Sequence, residues 1–495
     1  MDHLVREAAR RRPGHPALIA DAGTLTWADL DARVDAAAAR LAGLAAPGDR
    51  VALVLGNTTG FAVSFLGALR AGLVAVPLNP GYTGDELGHA LSDSGAAVVV
   101  AEDGARKRLP FAVPPVFAPV SPMPELPEPD PGRLAVLLYT SGTSGRPKGA
   151  MLSRGALLAN HEQIGRIEPP IAGPDDVLLL AVPFFHAYGL NAGLGTVAYH
   201  GATGVLVDRF DPDASLAAIE RHGVTAVLGV PSMYVAWSRR ESAGASLARV
   251  RTLVCGAAPF DEADAARLTE VTGKTAIIGY GLTEAAPVLT TTAASERPKS
   301  GSIGRPIPGV SLLLRAADGT VLWRDGTAAA PDPDSAELDL DVADVAGTDP
   351  GEIVVRGANM FSGYWPDGHD APDSDGWWPT GDIAYADGDG DLVLVDRIGE
   401  LILVNGFNVY PAEIERVLAD HPGVAEAAVV PIADPDTGQA PHAYVVPAGD
   451  PRVTPETLIA YCATRLARFK VPVTVDLVGE LPHSAVGKVR KSVLR

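Results

Sequence analysis

Short apolar runs alternate with segments of helical periodicity in the first half of the chain, and this alternation constrains the fold more than any other feature. Residues 51–55 and 74–77 are predicted to be strands, with a helix over residues 61–71 between them. Another helix is predicted to begin at Thr26, because Asp29 follows three residues later in a capping-box arrangement. Strands that alternate with helices favour parallel sheets covered by helices. We therefore expect an α/β fold for this part of the chain.

A glycine-rich loop follows a further apolar run at residues 134–138, which predicts a buried strand. The loop, YTSGTSGRPKG over residues 139–149, combines three glycines with four serine or threonine hydroxyls and Lys148. Such a loop can surround a polyphosphate with backbone N–H groups while the lysine supplies positive charge. It is not a Walker A motif, because Gly149 rather than Ser or Thr follows the lysine. A flexible linker has a similar composition, but the Arg-Pro-Lys order directly after a core strand favours a phosphate loop.

The composition excludes several classes of protein. A net charge of −20 over 495 residues argues against binding to nucleic acid or to anionic membranes. No apolar run is long enough to span a bilayer, and the N-terminal segment lacks the apolar core of a secretion signal. The two cysteines, Cys255 and Cys462, fit a reducing compartment. We therefore expect a cytoplasmic protein without a nucleic-acid partner, in which the positive charge for any anionic ligand is local.

The second half of the chain contains a predicted domain boundary. Within residues 391–418 one strand ends, and a new strand, loop and helix follow, with Pro411 at the first turn of that helix. A later helix is predicted after Thr454. We therefore predict a large domain over residues 1–396 and a separate α+β domain over residues 397–495.

Several short motifs accompany the glycine loop in a fixed order. They are PFFHAYG at 183–189, GAAP at 256–259, YGLTE at 280–284, TGD at 380–382, DR at 396–397, NGFN at 405–408 and PHSAVGK at 482–488. Each of them alone is compatible with an ordinary turn, a surface ion pair or a packed core residue. As an ordered set over essentially the whole chain, they resemble the adenylate-forming superfamily, which comprises acyl-CoA synthetases, peptide-synthetase adenylation domains and firefly-type luciferases.

The resemblance implies both a fold and a reaction. The large N-terminal α/β domain is expected to contain stacked α/β layers and a small β subdomain, and the smaller α+β C-terminal domain is expected to be mobile. The implied enzyme is an AMP-forming acid–thiol ligase. It would use ATP and Mg²⁺ to convert a small-molecule carboxylic acid into an acyl-adenylate and would then transfer the acyl group to coenzyme A.

The resemblance also assigns a nucleotide site. Tyr280 is expected to stack on adenine, Thr283 to contact phosphate, and the Glu284 carboxylate to bind Mg²⁺, a hard cation that prefers oxygen ligands. Asp382 and Arg397 are expected at the ribose. The other expected nucleotide contacts are Thr140 on the magnesium side, Ser141, Gly142, Thr143, Ser144, Gly145 and Lys148 at the triphosphate, and Gly256, Ala257, Ala258 and Gly281 in the two adenine-side motifs.

Three further residues are assigned to chemistry by the resemblance. Lys488 is expected to offset the negative charge that develops at the α-phosphate, and His186 is expected to act as a gate beside the acyl carboxylate. Gly406 is expected to line the channel for the thiol arm of coenzyme A. The chain departs from the superfamily pattern at Gly399, where a polar hinge residue is usual.

The acid is the least constrained part of the sequence-based prediction. The segments VPFFHAYGLNAG and GVPSMYVAW resemble those of fatty-acyl-CoA synthetases. Gly279 stands where malonate-activating relatives carry an arginine, so a dicarboxylate is less favoured. The sequence favours a medium- or long-chain fatty acid as the substrate, and an aryl acid is the alternative. Other open alternatives are a ligase that loads a carrier protein, an acyl-nucleotide sensor without catalysis and a luciferase-like oxygenase. The sequence leaves the oligomeric state open.

Overall fold

The structure is a computed structural model that describes residues 1–109, 130–140, 147–325, 327–328, 347–397, 400–404, 407–434, 437–449, 453–484 and 487–494. The chain forms two compact units. The first comprises Met1–Ser311 and Arg356–Trp378, and the second comprises Leu312–Val355 and Pro379–Arg495. The predicted division at residue 396 stays a prediction.

Fourteen of the named strands come before residue 310. They are β1 (Pro16–Ala20), β2 (Gly23–Thr26), β3 (Arg50–Val54), β4 (Val74–Leu78), β5 (Val98–Ala101), β6 (Leu134–Thr140), β7 (Lys148–Ser153), β8 (Val177–Leu180), β9 (Thr203–Leu206), β10 (Ala226–Gly229), β11 (Thr252–Cys255), β12 (Ile277–Gly281), β13 (Val288–Thr291) and β14 (Arg305–Pro306).

The helices of the same part of the chain connect these strands. They are α1 (Asp2–Arg11), α2 (Trp27–Ala42), α3 (Thr59–Arg70), α4 (Gly84–Ser94), α5 (Asp103–Arg106), α6 (Arg154–Ile164), α7 (Thr196–His200), α8 (Pro212–His222), α9 (Pro231–Ser238), α10 (Ala243–Ser246) and α11 (Glu262–Thr272), with a π-helix at Tyr188–Gly195 and 3₁₀ turns at Thr283–Ala285 and Thr292–Ala294.

The later elements are mainly strands. They are β15 (Val310–Arg315), β16 (Val321–Arg324), β17 (Thr327–Ala328), β18 (Gly351–Gly357), β19 (Trp378–Ala386), β20 (Leu392–Arg397), β21 (Ile402–Val404), β22 (Phe407–Val409), α12 (Pro411–Ala419), β23 (Val424–Asp434), β24 (Gly438–Pro447), α13 (Pro455–Ala463) and β25 (Thr474–Leu477), with 3₁₀ turns at Arg468–Lys470 and Lys491–Val493.

The first unit contains two sheets that are mostly parallel. One has the order β5-β3-β4-β6-β7, and the other has the order β14-β13-β12-β11-β10-β8-β9-β1-β2. Strands β3 and β4 pair in parallel with α3 between them in the chain, as the alternating pattern predicts. The predicted capping box at Thr26 and Asp29 is also present at the start of α2. The α/β prediction is confirmed.

Helices α2 and α3 pack closely because small residues meet between them. A Cβ atom placed on Gly67 of α3 would lie 2.6 Å from the Cβ of Ala37 on α2, so a larger residue at position 67 would push the helices apart. Helix α3 is buried over all of Phe61–Arg70, as expected for a helix that is apolar on all sides. It therefore fills the space that the small residues of α2 leave.

The buried side chain of Asn57 joins the two sheets of the first unit. It follows β3, and its amide nitrogen donates to the carbonyls of Leu180 (3.2 Å) and Val182 (2.9 Å) at the end of β8. Its amide oxygen accepts from the backbone N–H of Phe184 at 2.9 Å. These three hydrogen bonds hold the segment after β8 against the end of β3.

The second unit also contains two sheets. One has the order β17-β16-β15-β18-β19-β20, and the other has the order β22-β21-β24-β23 with β25 beside β24. Helices α12 and α13 cover the second of these sheets, and their buried apolar residues share one core with it. Helix α12 begins at Pro411, and α13 follows Thr454, as predicted, with the Thr454 side chain capping it. A large N-terminal α/β part with several sheets and a smaller C-terminal α+β part are thus confirmed.

Within the residues that the structure describes, no helix has the length and apolar character needed to cross a membrane.

We expect Asn57→Ala to lower the free energy of unfolding by roughly 3 kcal/mol, because it leaves the Val182 carbonyl and the Phe184 N–H without this partner in a buried setting and removes one of two hydrogen bonds to the Leu180 carbonyl. Urea titration followed by circular dichroism measures the change. Asn79→Ala is the matched control, since it removes one hydrogen bond to the backbone N–H of Gly81 in an exposed turn, and it is expected to stay within about 0.5 kcal/mol of the parent protein. Equal effects of the two variants would contradict the joining role of Asn57.

Candidate active site

The nine-stranded sheet has a topological switch point between β8 and β10. The chain passes from β8 to β9 on one side, and then to β10 on the other side. All three strands are parallel. Loops that leave the carboxyl ends of such strands in opposite directions open a crevice, where ligands of α/β proteins bind. This places the candidate site at the carboxyl ends of β8, β10 and β11.

The segment after β8, which contains the PFFHAYG motif, runs along this crevice into the π-helix Tyr188–Gly195. A Cβ on Gly189 would lie 2.3 Å from the carbonyl oxygen of Pro183, so only glycine fits there. The Tyr188 hydroxyl donates to the carbonyl of Val254 on β11 at 3.2 Å. The ring therefore reaches across the carboxyl end of β10.

His186 lies in the same segment and is neutral at physiological pH. Its Nδ1 accepts a hydrogen bond from the backbone N–H of Tyr188 (3.2 Å), which leaves its proton on Nε2. Burial lowers the pKa of His186 to about 4. A neutral imidazole can donate one hydrogen bond to a carboxylate but brings no positive charge to it.

The adenine-side motifs follow β11 and β12, which are parallel neighbours. The turn after β11 contains Gly256 and Ala257, and Ala257 has a φ of 70°, a left-handed conformation unusual for a residue with a side chain. Ala258 continues this turn. Tyr280 is buried at the end of β12, and a Cβ on Gly281 would lie 1.8 Å from the carbonyl oxygen of Pro287. Both motifs thus reach the same sheet edge.

The glycine loop connects two antiparallel strands, β6 and β7, with Thr140 opposite Lys148 in the ladder. The predicted contacts Ser141, Gly142, Thr143, Ser144 and Gly145 lie outside the described residues. Thr140 and Lys148, which the structure describes, pair with each other and hold the two ends of the loop together. Lys148 is partly exposed and forms an ion pair with Asp370, with 3.2 Å between Nζ and Oδ2.

Tyr364 connects the loop lysine to the predicted magnesium carboxylate. The Lys148 ammonium lies 4.9 Å from the centroid of the Tyr364 ring, a cation–π contact. The hydroxyl of the same tyrosine donates to Oε1 of Glu284 at 2.6 Å. Glu284 is only 7% exposed, so this charge-assisted hydrogen bond is partly shielded from water. The structure therefore brings Lys148 and Glu284 to one tyrosine.

Sequence reasoning missed Tyr364 and Asp370. The aromatic run FSGYW at residues 361–365 was the available signal, but it has no metal or phosphate signature. The position of this aromatic run is set by backbone pairing with β7, where the Trp365 N–H donates to the Gly149 carbonyl at 2.8 Å. Chain segments more than two hundred residues apart meet here, which local patterns do not encode.

These residues fit Mg²⁺ and a triphosphate. Mg²⁺ is commonly held by one or two carboxylates together with phosphate oxygens and water, so the single buried Glu284 suits it better than a dedicated cage would. Within the described ranges no group of three His, Cys, Asp or Glu residues could hold a metal ion. Lys148 would supply the local positive charge that an acidic chain needs for an anionic ligand.

The second unit contains the remaining predicted contacts. Asp382 on β19 lies opposite Arg397 on β20 in the antiparallel ladder, so two residues assigned to the ribose are cross-strand partners. Asp382 is buried, and its backbone N–H donates to the Thr380 hydroxyl at 3.1 Å. Gly399 and Gly406 lie outside the described residues.

Lys488 is exposed in a short hairpin near the C-terminus. The Ser484 N–H donates to the Lys488 carbonyl at 2.7 Å, and the Lys488 N–H donates to the Ser484 hydroxyl at 3.1 Å. The hairpin thus presents the lysine from a hydrogen-bonded turn.

The contact of Tyr364 with Glu284 generates a prediction. Tyr364→Phe keeps the ring beneath Lys148 but removes the donor to Glu284. We expect the affinity for ATP measured in the presence of Mg²⁺ to fall about tenfold, because a hydrogen bond to a charged group contributes roughly 1.5–3 kcal/mol. Isothermal titration calorimetry at several Mg²⁺ concentrations measures this. Tyr199→Phe in α7 is the control, and equal losses in both variants would argue against the predicted magnesium role of Glu284.

The low pKa of His186 predicts how the stability of the protein depends on pH. Because the folded-state pKa lies near 4 and the unfolded-state pKa near 6.5, the unfolded chain binds the proton more tightly between these values. The contribution of His186 to stability is therefore fully present above pH 6.5 and declines as the pH falls towards 4. Histidine NMR, with the signal assigned by a His186→Gln variant, should give a midpoint below pH 5. A midpoint near 6.5 would contradict an imidazole that is neutral at physiological pH because of its surroundings.

Comparison with known proteins places the chain in one family. Feruloyl-CoA synthase from an Amycolatopsis species is 38% identical to it, over 98% of this chain and 96% of that protein. The long-chain-fatty-acid–CoA ligase of Yersinia pestis is 33% identical, over 99% of this chain and 93% of that protein. The solved structure of o-succinylbenzoate–CoA synthetase from Bacillus subtilis, in complex with its acyl-adenylate intermediate, matches with a TM-score of 0.83 and 29% identity, over 99% of this chain and 97% of that one.

The family model of the AMP-binding enzymes matches residues 5–365, and the model of the AMP-binding enzyme C-terminal domain matches residues 413–488. The resemblance seen in the sequence motifs is thereby confirmed, as are the expected enzyme class and co-substrates. The chain belongs to the AMP-binding enzyme family and is an adenylate-forming acid–thiol ligase that uses ATP, Mg²⁺ and coenzyme A.

Proposed function

We propose that this ligase activates an aromatic carboxylic acid of the hydroxycinnamate type and transfers the acyl group to coenzyme A. In the first step a carboxylate oxygen attacks the α-phosphorus of ATP, the bond to the β-phosphate oxygen breaks, and pyrophosphate leaves. In the second step the sulfur of coenzyme A attacks the acyl carbon, AMP leaves, and the thiol proton passes to solvent. A free thiol has a pKa of about 8.5, so the second step needs no dedicated base near neutral pH.

The observation that carries the choice of acid is the similarity to feruloyl-CoA synthase, which is 38% identical to this chain, against 33% for the long-chain-fatty-acid–CoA ligase of Yersinia pestis. The crevice at the switch point supports an apolar acyl group. Its lining is almost wholly apolar and consists of Leu179, Leu180, Val182, Tyr188, Gly189, Gly193 and Leu228. An apolar acyl group suits this lining.

The packing next to the crevice supports the same choice. The Tyr234 hydroxyl donates to the Val254 carbonyl at 2.7 Å, the same carbonyl that accepts from Tyr188. Tyr234 and Trp237 are fully buried, with their ring centroids 5.7 Å apart. Aromatic rings thus pack beside the β11 carbonyl that Tyr188 of the crevice also contacts, which suits an aromatic acyl group. Of the two relatives compared above, feruloyl-CoA synthase has the higher identity.

A medium- or long-chain fatty acid, which the sequence motifs favoured, is the second candidate. It is supported by the match to long-chain-fatty-acid–CoA ligases over almost the whole chain. A carrier protein in place of coenzyme A is a further alternative acceptor.

We assign the site residues within this reaction as proposals. Lys148 and the loop hydroxyls would hold the triphosphate, Glu284 and Thr140 would bind Mg²⁺, and Lys488 would stabilise the charge at the reacting centre. Residues 397–495 would move as a domain about the segment 396–399 between the two steps, and Gly406 would then line the thiol channel. His186 would gate the acyl side. The free, buried thiols of Cys255 and Cys462 support a cytoplasmic location for the protein.

A panel of acids tests the proposal. Ferulate, 4-coumarate, benzoate, octanoate and palmitate are compared by AMP release that depends on ATP and coenzyme A. We expect kcat/KM for ferulate or 4-coumarate to exceed that for palmitate by about 100-fold, which corresponds to about 2.7 kcal/mol of transition-state discrimination. A preference for palmitate over all three aromatic acids would show that the fatty-acid alternative is correct.

A pair of variants links the panel to the crevice. Leu228→Ala enlarges the crevice and is expected to raise kcat/KM for octanoate relative to ferulate. Leu253→Ala is the matched control. Leu228 pairs with Val254 in the parallel ladder, and successive residues point to opposite faces, so Leu253 lies on the other face of the sheet. An unchanged ratio in both variants would mean that the acid binds elsewhere.

A further inference from the structure

The C-terminal hairpin, defined by residues 482–484 and 487–490, is attached to the rest of the second unit at both ends. At one end, His483 Nε2 lies 2.7 Å from Oε1 of Glu426 on β23, but both side chains are more than a third exposed. At the other end, Lys491 follows the hairpin directly, and its side chain is only 13% exposed. An exposed pair contributes little, so the buried end sets the position of the hairpin.

The Lys491 ammonium lies between two carboxylates. Its Nζ is 2.8 Å from Oε2 of Glu400 and 2.8 Å from Oε1 of Glu415. The same Glu415 oxygen accepts from the backbone N–H of Val429 at 2.6 Å, so helix α12 and strand β23 are part of the contact. Paired, hydrogen-bonded and largely buried charges restrict geometry more than exposed ones do.

The ionisation of this group agrees with its geometry. Burial alone would lower the pKa of Lys491, but the charges of Glu415 and Glu400 outweigh it and raise the pKa. Lys491 is therefore charged at physiological pH. Removing it would leave two carboxylates close together without a cation, and they would repel each other.

The two carboxylate partners of Lys491 come from positions that matter for the proposed domain movement. Glu400 directly follows the segment 396–399, about which we propose that the domain moves. Asp396, at the start of that segment, accepts from the backbone N–H of Ala412 at 2.9 Å and so stabilises the first turn of α12. Glu415 lies one turn further along the same helix. Lys491 thus connects the hairpin that carries Lys488 to the segment and helix on which the domain would turn.

We propose that Lys491 is a positioning residue for Lys488, which it acts on by fixing the C-terminal hairpin to Glu400 and Glu415. This inference rests on the proposed role of Lys488 in adenylate formation. Lys488 is exposed, and its turn is short. A fixed base of the hairpin therefore helps to hold its amine in a defined place relative to the domain.

The two half-reactions test this inference in the full-length enzyme. Adenylate formation is measured by pyrophosphate exchange with the best acid of the panel, and the second step is measured from the synthetic acyl-adenylate of that acid with coenzyme A. We expect Lys491→Met to lower kcat of the exchange by 10- to 100-fold, to change KM for ATP by less than threefold, and to leave the second step within threefold. Lys491→Arg should restore most of the exchange rate.

The control removes a similar ion pair elsewhere on the same helix. Lys470 Nζ lies 2.8 Å from Glu413 of α12, with both side chains about a quarter exposed. Lys470→Met is therefore expected to leave pyrophosphate exchange within twofold. If Lys491→Met does not fold, Glu400→Gln keeps the lysine and its second partner and decides the question. A selective fall in exchange of at least threefold supports the inference, and no fall overturns it.

Lys488→Ala separates failure of this inference from failure of the proposed function. If Lys488→Ala spares pyrophosphate exchange, the proposed role of Lys488 is wrong and the inference is wrong with it. If Lys488→Ala is selective for exchange but Lys491→Met lowers both half-reactions equally, or neither, Lys491 only stabilises the fold and the positioning role is overturned.

Discussion

The buried amide of Asn57 holds the carboxyl ends of two parallel sheets together, and the position of the loops at the candidate site depends on it. Parallel strands deliver their following loops to one edge, but two separate sheets need a further contact to bring their edges into register. Asn57 provides it with three hydrogen bonds to the segment that follows β8. Because these bonds lie in a buried setting, each is costly to break. The His186 segment therefore has a fixed base from which to line the crevice.

Charge is the second constraint on this protein. The chain carries a net charge of −20 and yet belongs to a family that binds ATP and coenzyme A. In the proposed function this is reconciled locally, where Lys148 contacts the Tyr364 ring and the Tyr364 hydroxyl donates to Glu284. A tyrosine separates the cation from the carboxylate while contacting both, so neither neutralises the other directly. Lys148 pairs instead with Asp370, whose side chain is largely exposed, and in the proposed function a phosphate would take the place of that carboxylate while Glu284 would bind the metal ion.

In the second unit the predicted catalytic lysine, Lys488, is exposed on a short hairpin. The position of its ammonium group therefore depends on the residues at the base of that hairpin. The buried contact of Lys491 with Glu400 and Glu415 is suited to this, and Asp396 extends it to the first turn of α12. The departure at Gly399 therefore stands next to a well-defined ionic contact at Glu400.

The sequence by itself determined the class of fold, the family and the chemistry. Three features could be recognised from residues that are close together in the sequence. They are the alternation of strands and helices, the capping box at Thr26 and the proline that begins α12. The ordered motifs carried the resemblance for the same reason. Tertiary structure alone decided that Tyr364 lies between Lys148 and Glu284, that Asn57 joins two sheets, and that Lys491 lies between two glutamates. Each of these contacts joins residues far apart in the chain, and their partners are set by how sheets and helices pack rather than by any spacing along the sequence.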